Sequence, residues 1–213
     1  HWAMGSQPLF MVDPIDSTTR QLEMTMDYAG KRLQLQGGYY GSMYDNANSM
    51  VFGLVNGAAQ PGTASSPNPV PLTVPLNNVA HQVFLNGGYA FTPTTRGTFK
   101  LAYSGATQDE SLPTFEMAAP NNRFVGAPSS LDGKINTTTA QLGLTSRPLP
   151  KLSLLANLRY HDVDDKTPLA GFVGSNTTGA VTVHNTPHSF TTTSGKVEAT
   201  YRLPANFSVT GGV

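Results

Sequence analysis

Four times along this chain, two stretches of alternating apolar and polar residues meet at a tight turn, and a polar segment follows. The turns fall near Gly30, Thr94, Leu149 and Ala205, 55 to 64 residues apart. Before the first, Leu22, Met24, Met26 and Tyr28 alternate with Gln21, Glu23, Thr25 and Asp27. After it, Leu33, Leu35, Gly37, Tyr39 and Met43 alternate with Arg32, Gln34, Gln36 and Ser42. Successive side chains of a strand point to opposite faces, so each set occupies a face of its own. Strands of roughly ten residues, with short turns at one end and long loops at the other, are the pattern of a transmembrane β-barrel.

The other hairpins obey the same rule. Val83, Leu85, Tyr89 and Phe91, then Phe99, Leu101 and Tyr103, form the apolar set of the second. Ala140, Leu142 and Leu144, then Leu152, Leu154, Ala156, Leu158 and Tyr160, form that of the third, and Val197, Ala199, Tyr201 and Leu203 that of the fourth. Prolines stand in the turns, at Pro93, Pro148, Pro150 and Pro204. Proline fixes φ and donates no hydrogen bond, so it suits a turn and damages a ladder. The expectation is an all-β, antiparallel up-and-down barrel segment spanning 1–213, with about eight strands in four hairpins and long loops at about 45–80, 105–133 and 161–189. Long loops are extracellular and short turns periplasmic in such barrels. Pro61, Pro67, Pro69, Pro71 and Pro75 crowd the first loop, and segments so composed need another protein, or each other, to stay ordered.

Composition narrows the function. Only 12% of residues are charged, about half the usual soluble fraction. No window reaches the ~18 apolar residues of a membrane helix, whereas a barrel strand turns only alternate residues to lipid. Zero net charge argues against a nucleic-acid partner, which calls for a basic surplus. The absence of cysteine removes disulfides, thiolate metal sites and any C-x-x-C-H for covalent haem. The chain opens without a signal peptide and stops inside the alternating run Phe207, Val209, Gly211, Val213, so a segment of a larger, exported barrel is expected.

Catalytic and metal signals are weak, and no enzyme is expected. Asp162, Asp164 and Asp165 could offer oxygen ligands to Ca²⁺, but the Gly and terminal Glu of an EF-hand loop are missing. His184 and His188 stand four apart in a Thr-rich segment without helical pattern, a poor zinc pair. Gly37-Gly38 and Gly87-Gly88 lie in strands and open no helix, so they are not phosphate loops.

Several segments carry a family resemblance: Pro14-Ile-Asp-Ser-Thr-Thr19, Leu35-Gln-Gly-Gly-Tyr-Tyr-Gly-Ser42, Tyr44-Asp-Asn-Ala-Asn-Ser49, Thr92-Pro-Thr-Thr-Arg96, Thr107-Gln-Asp-Glu-Ser-Leu-Pro113, Ser129-Ser-Leu-Asp-Gly-Lys-Ile-Asn-Thr-Thr138 and Ser146-Arg-Pro-Leu-Pro-Lys151. In this order they resemble the MtrB/PioB family of decahaem-associated outer-membrane proteins. The resemblance implies a multi-pass barrel in the bacterial outer membrane, longer than this chain. It implies a sheath around a periplasmic decahaem c-type cytochrome in the lumen, with haem carried by that partner and none in this chain. An extracellular cytochrome on the long loops is a further implied partner.

A lumen that encloses a protein wire calls for small, uncharged inward residues, and Asn86, Gly88, Ala102, Ser104, Gly143 and Asn157 fit, as do Ala90, Ser153 and Thr200. Phe84 and Leu155 are inward apolar exceptions, either contacts to the plug or marks of a bulge that shifts the register. Inward charges are mixed in sign: Glu23, Asp27, Arg32, Lys100, Arg159, Lys196, Glu198 and Arg202. The expected lipid-facing set is Leu22, Leu35, Leu85, Leu101, Leu142, Leu154 and Val197. Tyr28, Tyr39, Tyr89, Phe91, Phe99, Tyr103, Tyr160, Tyr201 and Phe207 share its parity, as an aromatic girdle or as the cross-strand packing of a soluble sandwich. Three readings stand: a sheath for a multihaem cytochrome, a porin-like channel for small solutes, and a secreted all-β adhesin or sandwich.

Overall fold

The computed structural model of the protein describes residues 3–4, 7–11, 15–55, 70–111, 124–125, 129–176 and 179–213. Pro14, Pro61, Pro67, Pro69, Leu112 and Pro113, singled out above, lie outside these. The described residues form strands and turns without helix. In chain order the strands are β1 (Ala3–Met4), β2 (Gln7–Met11), β3 (Ser17–Ala29), β4 (Leu33–Asn46), β5 (Met50–Val55), β6 (Val70–Thr73), β7 (Asn78–Thr92) and β8 (Thr95–Gln108). There follow β9 (Phe124–Val125), β10 (Gly133–Leu149), β11 (Leu152–Asp165), β12 (Gly171–Asn176), β13 (Gly179–His184), β14 (Phe190–Arg202) and β15 (Ser208–Gly212).

Eight of them make one antiparallel sheet in the order β15-β14-β11-β10-β8-β7-β4-β3. Each strand pairs with its sequence neighbour among the eight, so the sheet is a meander whose four tight turns follow Ala29, Thr92, Leu149 and Arg202. The last of these places Ala205 and Asn206 at φ 60° and 62°, the positive values that a type I′ hairpin turn requires at both central residues. The sheet is not closed: β3 and β15 each pair on one side only.

The strands outrun the roughly ten residues expected, with β3 at 13 and β10 at 17. Beyond the apolar stretch both faces are polar, as in Thr137-Thr138-Thr139, so the ladder continues where hydropathy no longer alternates. The long segments also hold strands of their own. β1-β2-β5-β6 form a second sheet and β13-β12-β9 a third. Pro71 sits on β6, at an edge, where a missing N–H leaves the ladder intact. Side chains tie the segments to the strand ends: Asn77 Oδ1 accepts from the Asn46 amide at 2.6 Å, and Ser189 Oγ from the Asp165 amide at 2.9 Å.

The large sheet is a single layer. Among the described residues only Val51, 5% exposed, is a buried hydrophobic. A soluble domain buries its apolar faces between two packed layers, so the sandwich reading is overturned.

The hairpins are staggered. Tyr28, Leu35, Gly87, Phe99, Leu142, Leu158 and Gly195 are successive ladder partners on one row. Tyr28 stands one residue before the end of β3 and Gly195 seven before the end of β14, a slip of one residue per strand. With ~3.4 Å per residue and ~4.8 Å between strands, turns lying in one plane give a strand tilt of roughly 35°. That matches the ~35–45° of membrane barrels.

Candidate functional site

In this protein the candidate site is a pair of surfaces. Directly paired residues in an antiparallel ladder share a face, so the register alone assigns every strand residue to one side or the other. Leu22 pairs with Gly41, Leu35 with Gly87, Leu85 with Leu101, Leu101 with Ala140, Leu142 with Leu158, Leu154 with Ala199 and Val197 with Ala156. Followed from strand to strand, these pairings put Leu22, Leu35, Leu85, Leu101, Leu142, Leu154 and Val197 on one face. Its large side chains are uncovered: Met26 is 79% exposed, Val197 56% and Leu142 53%. An apolar surface this continuous marks contact with another protein or with a membrane.

The apolar face has a defined height. On β11 it runs through Leu152, Leu154, Ala156, Leu158 and Tyr160 and then meets Asp162; on β3 it ends at Arg20, on β7 at His81 and on β10 at Thr138. Eight residues of tilted strand span about 22 Å, close to the ~25 Å apolar band of outer-membrane barrels. Tyr28, Tyr89, Phe91 and Tyr201 lie near its turn-side edge, and Tyr39, Tyr103 and Tyr160 near its loop-side edge. Tyr39 Oη bonds His81 Nδ1 at 2.5 Å, so a phenol and an imidazole meet where apolar surface gives way to polar. Rings with one wet tip belong at that level.

Two glycines make room for aromatic rings. A Cβ on Gly87 would stand 2.5 Å from the Phe99 ring, its ladder partner on the apolar face. On the opposite face, a Cβ on Gly38 would stand 2.5 Å from Phe84 and 2.6 Å from the Met24 carbonyl. Each ring covers the bare backbone of the strand beside it.

The register places Phe84, Asn86, Gly88, Ala102, Ser104, Gly143, Leu155 and Asn157 together on the polar face. They do not form one patch. Gly88, Gly143 and Asn157 share a row through Thr98, and Phe84 pairs with Ala102 four residues higher. Between those rows run Asn86, Lys100, Gln141 and Arg159, so the small residues are interrupted by two cations. Leu155 lies toward the turns, opposite Thr145 and Glu198, and Ser104 toward the loops. The ladder shifts register only between Ala90 and Thr92 and between Ser146 and Leu149. Phe84 and Leu155 therefore face this side without a bulge. Tyr40 and Tyr44 join them, paired with Gln82 and Asn78, although a hydropathy reading sets aside polar-parity tyrosines.

The acidic run at the loop end of β11 does not converge. Alternation turns Asp162 and Asp164 to one face and Asp165 to the other. Thr191 donates to Asp162 Oδ1 at 2.5 Å, and Lys166 pairs with Asp164 at 3.3 Å. Thr167 and the His188 amide hydrogen-bond the Asp165 carboxylate and hold its pKa below the ordinary value. Among the described residues no group of three or more His, Asp or Glu is disposed to hold a metal. His188 instead packs at a tilt of 36° against Phe190, at 5.9 Å between ring centres.

Comparison with known proteins accords with this geometry. Outer membrane protein MtrB of Shewanella baltica (strain OS185) is 24% identical over 216 residues, an overlap that covers 97% of this chain and 29% of that relative. The chain thus spans less than a third of the relative's length. Residues 2–213 match the family described as "Putative outer membrane beta-barrel porin, MtrB/PioB", and the chain belongs to this MtrB/PioB family of outer-membrane β-barrel proteins.

Proposed function

We propose that this chain is part of the wall of a larger outer-membrane barrel whose lumen holds a multihaem c-type cytochrome, so that electrons cross the membrane through the enclosed protein. In this reading the apolar face meets lipid and the polar face lines the lumen. The turns are periplasmic and the loops extracellular, and further strands beyond β3 and β15 close the wall. The observation that carries it is the set of apolar side chains, Phe84, Leu155 and Tyr40, held on the polar face by an unbroken register. Phe84 also covers the bare backbone of Gly38, but apolar groups turned toward the lumen suit a protein occupant better than water. The chain has no cysteine for haem attachment, so it acts as an insulating sheath and its partner as the conductor across ~30 Å of hydrocarbon. No catalytic role is assigned to it.

The test is electron transfer into liposomes. The complete barrel, assembled with the cytochrome that co-purifies with it, should reduce an enclosed acceptor, and the barrel alone should not. A porin-like channel is the second reading, favoured by the Lys100–Arg159 row that sets cations on the polar face. A stable, ion-selective pore indifferent to any cytochrome would establish that reading instead.

A further inference from the structure

A net charge of zero hides an axial division. Within three residues of the hairpin turns stand Lys31, Arg32, Arg96, Arg147, Lys151 and Arg202, against the single carboxylate Asp27. All six cations are exposed, and none is in an ion pair among the described residues. The loop end has the opposite sign. Asp16, Asp109, Glu110, Asp132, Asp162 and Asp165 lie there, against Lys134, while Arg20 and Lys166 are already engaged by Asp45 and Asp164.

At the turn end, Arg32, Arg96 and Arg202 belong to the polar face. The Ala90 amide donates to the Arg32 carbonyl at 2.8 Å, and Ala90 pairs with Arg96, so both arginines share a row roughly 10 Å apart. The Arg96 guanidinium lies over Gly88 and donates to Gln34 Oε1 at 2.6 Å, which directs it away from the apolar face. Arg202 has the parity of Thr200, whose hydroxyl meets that of Thr210 across the ladder. Like charges held together with a single carboxylate among them raise the local potential and attract an anionic surface from outside.

We propose that the turn-end mouth of the lumen is a docking collar for a carboxylate-rich surface of a protein partner. The inference rests on the polar face lining the lumen. The acidic loop end repels the same surface, so the division of charge admits the partner from the turn side and in one orientation.

The test uses the complete barrel without partner, in phosphatidylcholine nanodiscs, titrated with a fluorescent oligo-glutamate peptide as probe. Saturable binding at low salt is expected, weaker by about tenfold or more at 1 M salt, where the screening length is ~3 Å. The variant R32E/R96E/R202E should lose about tenfold or more in affinity, and R32Q/R96Q/R202Q should lose a smaller factor in the same direction. Asp109→Lys with Glu110→Lys should leave the turn-end affinity unchanged. Absence of binding at low salt, or an equal loss from the loop pair, overturns the proposal. Peptide binding as expected, in a barrel that passes no electrons to an enclosed acceptor when a cytochrome is supplied, leaves the collar standing and removes the cytochrome reading.

Discussion

Adjacent residues of β8 live in different surroundings. Phe99, Leu101 and Tyr103 continue an exposed apolar band from strand to strand, whereas Lys100, Ala102 and Ser104 pair with Asn86, Phe84 and Gln82 on a polar face. The two sides also differ in what they tolerate. The apolar side is uniform in chemistry over a fixed height and needs only to stay free of charge. The polar side mixes glycine, amides, cations and a few rings, as suits a surface fitted to something particular. One face is specified by a solvent; in the function proposed above, the other is specified by an occupant.

The largest expected effect tests that contrast directly. Phe99 and Ala156 each lie four residues from the start of their strands, midway up the band, so an Arg at either should destabilise the barrel by about 2–4 kcal/mol. Leu154 lies two residues from its turn, and its replacement by Arg should cost only ~0–1 kcal/mol. Ala102→Arg or Asn157→Arg should leave fold stability nearly unchanged while obstructing a tightly fitted plug. Unfolding titrations in lipid vesicles measure all of these. Equal penalties on the two faces would contradict the lipid assignment, and equal penalties at Ala156 and Leu154 would contradict the height of the band.

Much of this was legible in the sequence. Leu, Met, Val and Tyr at every second position fixed strands, turns and faces because a one-residue slip would carry the whole apolar set to the wrong side. The upper thirds of the strands were not legible. Around Thr137 to Thr139 and Asp162 to Asp165 both faces are polar, so hydropathy loses its period while the ladder runs on. The short strands of the long segments escaped for a related reason, since Pro and Gly read as loop even when they sit on an edge. The polar-face tyrosines were missed because aromatic residues were credited to the apolar parity. The charge division needs only the positions of the turns, and zero net charge concealed it.

A middle-sized effect sharpens the comparison within one dipeptide. Gly37 and Gly38 adjoin and point to opposite faces. A Cβ at Gly37 would meet Leu85 Cδ1 at 3.5 Å, an ordinary contact, and Ala there should be neutral or stabilise by up to ~1 kcal/mol. A Cβ at Gly38 meets the Phe84 ring and, at 2.6 Å, the Met24 carbonyl, so Gly38→Ala should cost about 1–3 kcal/mol. Phe84→Ala alone removes a cross-strand cover and should cost ~0.5–1 kcal/mol. The double variant should recover only part of the Gly38→Ala loss, because the backbone contact remains. Full recovery would mean that the ring, and not the close approach of β3, sets the demand for glycine.

The smallest effect lies outside the band, at the loop end, and is a matter of pH. Asp165 sits at the end of β11 and accepts from Thr167 and from the His188 amide, which clasps the start of the following strand segment to the barrel wall. These bonds favour the ionised carboxylate and lower its pKa. A lowered folded-state value means that the clasp contributes fully above the ordinary carboxylate pKa and is lost as pH falls through the lowered one. The group is exposed, so the global unfolding free energy should not register the change. The amides of Thr167 and His188 should. Their hydrogen-exchange protection should hold down to about pH 4 and fall below it, while amides in the Leu101 and Leu158 ladder stay protected across the same range. Asp165→Asn should show the weakened protection already at neutral pH. Protection of the His188 amide that is flat from pH 7 to pH 3, in both proteins, would show that the tie between loop and wall is made by the Ser189 hydroxyl on the Asp165 amide instead.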